Sequence, residues 1–206
     1  MAYFPFFVEL SGRSGLIVGG GAVALRKAGK LLPYGPKLTV VAPEILPQLA
    51  ALPGVQLLAR PFQPQDLDGQ SFVIAAADDP AVNRLVASLA RERGIPVNAA
   101  DSKEDSTFLF PALVRRGELS VGISTSGASP TAAVWLKDQV EALLPQHLEE
   151  ILLWLEQLRP QLTQGPLSPA QRHALLPRLF SAALAQGRPL DPDQVQAMIQ
   201  EEVPHS

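Results

Sequence analysis

The sequence predicts an α/β fold built on a doubly wound parallel sheet, followed by a hairpin and a helical tail, on three observations. An apolar run, Gly15–Val18, stops at three consecutive glycines and gives way to a helix-forming stretch. Strand-length apolar runs then alternate with amphipathic helical stretches as far as Ala100. After Asp101 the rhythm changes, first to a hairpin pattern and then to continuous helix.

In chain order, Gly15–Val18 reads as a strand and Ala22–Leu32 as a helix that stops before Pro33. Lys37–Ala42, bounded by Pro36 and Pro43, supplies the second strand of a right-handed βαβ unit. Val55–Ala59 and Ser71–Ala77 continue the alternation, the latter as a buried strand. Ala81–Arg93 follows as a helix behind Asp79-Pro80, and Pro96–Ala100 as another strand. Thr107–Val114 and Leu119–Ser124 flank Arg115-Arg116-Gly117-Glu118, the pattern of an antiparallel hairpin. Ser129 then caps, and Pro130 opens, a helix reaching about Leu144. Beyond Pro145, Leu148, Ile151, Leu152, Leu155 and Leu158 fall at helical spacing. Ser168-Pro-Ala-Gln171 and Asp191-Pro-Asp-Gln194 are capping boxes with proline at the first helical position. These elements divide the chain into a Rossmann-like domain over 1–112, a linking hairpin and helix over 113–145, and a helical C-terminal domain over 146–206.

Composition bounds the function. A chain of 206 residues, 47% hydrophobic with net charge −3, buries one good core with room for a small second one. Its 20 prolines are scattered among apolar segments, which confines any disorder to the tail. The absence of cysteine removes thiolate catalysis, cysteine-ligated zinc, iron–sulfur clusters and disulfides, and fits a reducing cytoplasm. No apolar run is long enough for a membrane span, and the N-terminus lacks the basic start and long apolar centre of a secretion signal. No segment is basic enough for phosphate neutralisation, so nucleic acid is not an expected partner.

The glycine turn fits a dinucleotide fingerprint: Gly19 for the tight turn, Gly21 for close approach to a pyrophosphate, and Ala24 where the helix packs on its strand. A pyrophosphate would rest on N–H groups at the helix start. The alternative is a turn that merely joins strand to helix. The second strand ends Val41-Ala42-Pro43 with Glu44 the first carboxylate, which either reaches the ribose or is a solvated acid at a helix start. No lysine or arginine follows to hold a 2′-phosphate, which favours NAD over NADP.

Taken together, F-F-V-E-L, L-I-V-G-G-G-A-V-A-L-R-K-A, T-V-V-A-P, A-A-A-D-D-P-A-V-N, V-N-A-A-D-S, F-L-F-P-A and S-T-S-G-A-S-P resemble, in that order, the precorrin-2 dehydrogenase family. That family includes the N-terminal module of bifunctional siroheme synthases, and the resemblance covers roughly residues 3–150. It implies NAD-dependent oxidation of precorrin-2 to sirohydrochlorin, toward siroheme or cobalamin, by a homodimer that pairs through the 113–145 section. It places Gly19, Gly20, Gly21, Ala22 and Val23 on the cofactor turn, and Ala42, Pro43 and Glu44 beside the adenosine. Asp78 and Asp79 either face the nicotinamide half of the cleft or cap the helix that follows. Asp101 matches the family's acid–base aspartate. Ser124-Thr125-Ser126-Gly127 departs from the Ser-Ser-Gly-Gly of bifunctional relatives, so any function of the second serine passes to Thr125. With the sequence ending at Ser206, no methyltransferase module is expected, and a separate enzyme would supply the substrate.

Dehydrogenation of a reduced tetrapyrrole removes a hydride, which the cofactor takes, and a proton, which needs a base. An unperturbed aspartate is a weak base at neutral pH, so partial burial or a neighbouring carboxylate is expected at Asp101; otherwise Asp101 with Ser102 caps a turn. The substrate's carboxylates call for donors: Arg115, Arg116, Lys103, Lys137 and Arg26, together with Ser124, Thr125, Ser126 and Ser129 around Gly127 at a helix start. Arg115-Arg116 beside Gly117 read first as a solvated hairpin tip. Some family members also insert ferrous iron, an alternative that stays open here: His147, His173 and His205 are too scattered for a preformed metal site, but chelation of this kind need not use a strong protein ligand. A non-catalytic NAD sensor or assembly module is the reading from another class, and an ordinary hydroxy-acid dehydrogenase lacks its histidine and arginine here. Trp135 and Trp154 could serve an interface or a core, and both are read as core residues.

Overall fold

The computed structural model describes residues 3–202 and divides after Phe110 into two compact units. In the first, five parallel strands, β1 (Ser14–Val18), β2 (Lys37–Ala42), β3 (Val55–Ala59), β4 (Phe72–Ala75) and β5 (Val97–Ala99), lie in the order β3-β2-β1-β4-β5. Val18 pairs with Val41 on one side and Ala75 on the other. The chain winds outward from β1 to β3 and then returns to the other side of β1, so the strand order reverses beside β1, where such folds open a crevice.

Strands buried on both faces read as continuous apolar runs, which is why these segments were visible as blocks. Successive side chains point to opposite faces. Leu16, Val18, Val41, Val73 and Ala75 pack with Val86, Ala87 and Ala90 of α3 (Pro80–Glu92). Ile17, Leu38, Val40, Phe72 and Ile74 pack with Ala24, Ala28 and Leu31 of α1 (Ala22–Leu31) and with Leu49 of α2 (Pro47–Ala50). The Rossmann-like reading therefore holds.

Most elements agree with the sequence reading to within one residue at each end, and two differ by more. Strand β4 ends at Ala75, short of Ala77, because the backbone of Ala77 leaves the ladder and bonds to a side chain of α3. The strand expected over Thr107–Val114 is split. Thr107 and Ser106 fold back on the sheet edge, where the Thr107 N–H donates to Val97 O at 2.7 Å and the Ser106 hydroxyl accepts from Ala99 N at 2.9 Å. Covering an edge strand in this way satisfies backbone groups that would otherwise be open.

In the second unit, β6 (Ala112–Arg116) and β7 (Leu119–Ile123) form the hairpin, turning at Gly117, whose φ of +54° suits glycine. Arg115 pairs with Ser120 and Arg116 with Leu119, so both arginines belong to the strand and not to the tip. Helix α4 (Pro130–Leu143) packs against β6, capped by the Ser129 hydroxyl, which accepts from Ala132 N at 3.1 Å. Helices α5 (Leu148–Gln164), α6 (Pro169–Gln186) and α7 (Pro192–Glu202) enclose Ile151, Leu158, Leu162, Leu175, Leu179, Ala183 and Val195. The Ser168–Gln171 box is reciprocal, and Gln194 accepts from Asp191 N at 2.9 Å. Trp154 packs on this core. Trp135 does not: it is 60% exposed. The buried residue of α4 is Ala133, and two positions along an α-helix turn roughly 200° around its axis, to the far side.

Candidate active site

The glycine turn is shaped by what lies against it. Gly19 has φ +129°, donates its N–H to Val41 O at 3.0 Å, and has the Ala76 carbonyl where a Cβ would stand. A Cβ on Gly20 would overlap the backbone carbonyl of Glu44, and Leu46 N donates to Gly20 O at 2.9 Å. Gly21 is open: the nearest atom to a Cβ there is Asp78 Oδ1 at 3.8 Å. Gly21 is also the N-cap of α1 and offers no side chain, and no acid sits in the first turn, so the first N–H groups of the helix lack a side-chain cap. Uncapped N–H groups at the positive end of a helix dipole suit an anion, and the missing Cβ leaves room for it. Ala24, fully buried, gives the close helix–strand contact the fingerprint requires.

A cleft of about 500 Å³ opens there, at the carboxyl ends of the strands. Gly19, Gly20, Gly21, Ala42, Pro43, Glu44 and Asp78 line it, as do Phe62 and Val82. The first group was expected from the sequence. Phe62 and Val82 were not: Phe62 lies in none of the family motifs, and Val82 belongs to A-A-A-D-D-P-A-V-N without a function read for it. Ala22 and Val23 open α1 behind the lining, where Val23 packs its side chain into the α1-side core. Both acids line the cleft but differ in their contacts: Asp79 also caps α3 by accepting from Ala81 N at 2.8 Å, while Asp78 faces Gly21.

Asp101 follows β5 and is exposed, so the partial burial expected of it is absent. A segment just beyond a strand end projects past the sheet, and the partner it finds is an amide: Asn83 Nδ2 donates to Asp101 Oδ2 at 3.1 Å. Asn83, a buried residue of α3, also donates to Ala77 O at 2.9 Å and accepts from Ala77 N at 2.8 Å. Asn83 closes the motif A-A-A-D-D-P-A-V-N, but no function was read for it, because the partners of an asparagine within a helix pattern are set by the fold.

A second buried polar contact lies on the other face of the sheet. Lys27 of α1 donates to Asn98 Oδ1 at 3.0 Å and stands 3.7 Å from the centroid of the Phe110 ring. Burial, with smaller contributions from Lys30 and then Arg26, lowers its pKa to about 8.

In the second unit, the Thr125 hydroxyl donates to Ser129 O at 3.0 Å and accepts from Ser129 N at 3.1 Å, while Ser124 Oγ accepts from Ser126 N at 3.1 Å. These hydroxyls brace a loop in which Ser126 has φ +54° and Gly127 φ +85°. Arg115 is exposed and Arg116 half-buried. Lys137 is paired with Glu141 and Asp138 inside α4. His147 lies 3.8 Å from Glu150, His173 is exposed on α6, and His205 lies outside the described residues. Among the described residues no group of three or more histidines or acids could hold a metal, and no helix is long and apolar enough to cross a membrane.

The sequence profile of the family described as "Putative NAD(P)-binding" matches residues 6–112, more than half of the chain. The chain belongs to this NAD(P)-binding family. A second profile, described as "Sirohaem biosynthesis protein central", matches residues 116–143. Siroheme synthase 3 of Aeromonas hydrophila subsp. hydrophila is 40% identical over 195 residues, covering 91% of this chain and 42% of the relative. A siroheme synthase of Pseudomonas entomophila is 44% identical over 154 residues, 73% of this chain and 33% of the relative. The chain thus spans about two fifths or less of the length of these relatives. A solved structure titled "SirC, precorrin-2 dehydrogenase" superimposes with a TM-score of 0.75 at 26% identity, covering 97% of this chain and 98% of that one. The family resemblance read from the motifs is borne out, and the cleft of this NAD(P)-binding chain fits a nicotinamide dinucleotide.

Proposed function

We propose that this chain oxidises precorrin-2 to sirohydrochlorin with NAD as the hydride acceptor. The observation that carries the reading is the uncapped start of α1 at the open Gly21, in a chain alike over nearly its whole length to a precorrin-2 dehydrogenase. Bound there, the nicotinamide supplies the site that accepts the hydride. The N–H groups of Gly21, Ala22 and Val23 hold the pyrophosphate, with Gly19 and Gly20 shaping the turn. Ala42, Pro43 and Glu44 take the adenosine end; Glu44 accepts from the ribose, and the want of a lysine or arginine in that segment favours NAD over NADP. Asp78 borders the pyrophosphate, and Asp101 takes the proton as hydride leaves. Arg115 and Arg116, with Ser124, Thr125 and Ser126, serve the carboxylates of the substrate. The section 113–145 pairs two copies, a reading supported by Val134 at 52% and Trp135 at 60% exposure on α4. The protein works in the cytoplasm, where a chain without cysteine loses nothing to reduction.

Anaerobic incubation with enzymatically made precorrin-2 and either NAD or NADP, following NADH fluorescence and the sirohydrochlorin spectrum, tests this. Turnover with NAD that falls by about 10²-fold or more in Asp101→Asn is expected, the size of a lost acid–base group. NAD binding without turnover would point instead to a sensor. A monomeric mass by light scattering would count against the dimer.

A further inference from the structure

The geometry points to Asn83 as the residue that positions Asp101, an inference that rests on the acid–base function proposed for that aspartate. Asn83 is only 2% exposed and has committed both of its donor protons and its Oδ1 to partners. Oδ1 accepts from Ala77 N at 2.8 Å, and the two Nδ2 protons go to Ala77 O at 2.9 Å and Asp101 Oδ2 at 3.1 Å. The orientation of the amide is dictated by the backbone. The N–H of Ala77 can only donate, so Oδ1 must face it, which obliges Nδ2 to face both the Ala77 carbonyl and the carboxylate.

One side chain on α3 therefore ties together two segments that leave the sheet at its carboxyl edge: Ala77 beyond β4 and Asp101 beyond β5. Ala77 lines the cofactor cleft and precedes Asp78. Asp101 is exposed, and an exposed aspartate without a tether samples several rotamers. The bond from Asn83 selects one, engages Oδ2, and leaves Oδ1 to take the proton. Holding a reacting group in place is where positioning residues act on rate. A buried asparagine within a helix, where leucine or alanine would be better helix formers, is explained by this double duty.

The test compares Asn83→Ala and Asn83→Ser with wild type and Asp101→Asn in the anaerobic assay, measuring kcat for precorrin-2 oxidation and, separately, NAD affinity by titration. Serine keeps a hydroxyl near Ala77 but is too short to reach Asp101, so it serves should the alanine variant fail to fold. Both variants are expected to lower kcat by about tenfold while NAD affinity changes by less than about twofold, a coupling typical of side chains in one network. An unchanged kcat, or a loss of NAD affinity as large as the loss of kcat, would show that Asn83 merely braces the Ala77 wall, and the inference fails. If wild type turns over and Asp101→Asn is equally fast, the acid–base reading is itself overturned and this inference with it. Collapse of Asp101→Asn beside unaffected Asn83 variants overturns the inference alone.

Discussion

Gly20 lies directly beneath the backbone carbonyl of Glu44, so that a Cβ on Gly20 would overlap that oxygen, and the Leu46 N–H closes the contact on the Gly20 carbonyl at 2.9 Å. The middle glycine therefore joins the turn to the loop after β2, a function separate from making space for a ligand. Gly20→Ala should destabilise the protein by about 1–3 kcal/mol, since backbone must shift to admit the methyl. Gly21→Ala, where the nearest atom is 3.8 Å away, should melt near wild type yet lose NAD affinity, because its methyl fills the cleft. Thermal melts and NAD titrations of the pair check this; equal losses of stability would refute it.

Gly29 makes the opposite case. It sits inside α1 with nothing within 4 Å of a Cβ. Gly29→Ala should raise stability by about 0.5–1 kcal/mol through helix propensity and a less flexible unfolded chain, with NAD affinity untouched. Denaturant midpoints at constant m measure it.

The neighbouring acids at the end of β4 should separate by assay. Asp79→Ala removes the cap on Ala81 N and should lower stability by about 1 kcal/mol with little effect on NAD. Asp78→Asn should leave the melting temperature alone and alter NAD affinity, as it faces Gly21. Stability and affinity changing together in either variant would contradict the division.

Lys27 gives stability a pH dependence. Its pKa falls from 10.5 to about 8 on folding, chiefly through burial, so between those values the unfolded chain binds more protons than the folded one. Stability from this group therefore rises as pH increases from about 8 toward 10.5, and below pH 8 the charge is buried at its full penalty. Relative to Lys27→Met, wild type should gain stability across that window in urea melts. A difference that stays flat, or falls, would exclude it. The Asn98 bond and the Phe110 ring hold the charged form and moderate the effect.

The elements legible in advance were those whose signal is local. Lys37–Ala42 and Val55–Ala59 appear as strands with the bounds that their flanking prolines and apolar runs predict. The Ser168–Gln171 box closes within four residues and forms as read. Thr107–Val114 misled because apolar alternation cannot distinguish a ladder strand from a segment folded onto a sheet edge. Trp135 misled because its volume suggests a core, while α4 turns only a narrow strip toward the hairpin. The glycine turn was legible as a cofactor turn; that Gly20 answers to Glu44 was not.

By itself, the sequence determined the strand–turn–helix order, the helix caps and the family, because period, capping and turn chemistry act over a few residues and leave their mark in the local pattern. Only the tertiary structure decided that Asn83 and Asp101, 18 residues apart, share a hydrogen bond, that Asp78 and Asp79 differ in their contacts, and that Lys27 reaches Asn98 across 71 residues. Asn83 meets Asp101 because parallel strands deliver the segments after β4 and β5 to the same edge of the sheet, Lys27 meets Asn98 because α1 and β5 pack on one face, and a polar side chain buried at either place must bond to whatever the fold puts beside it.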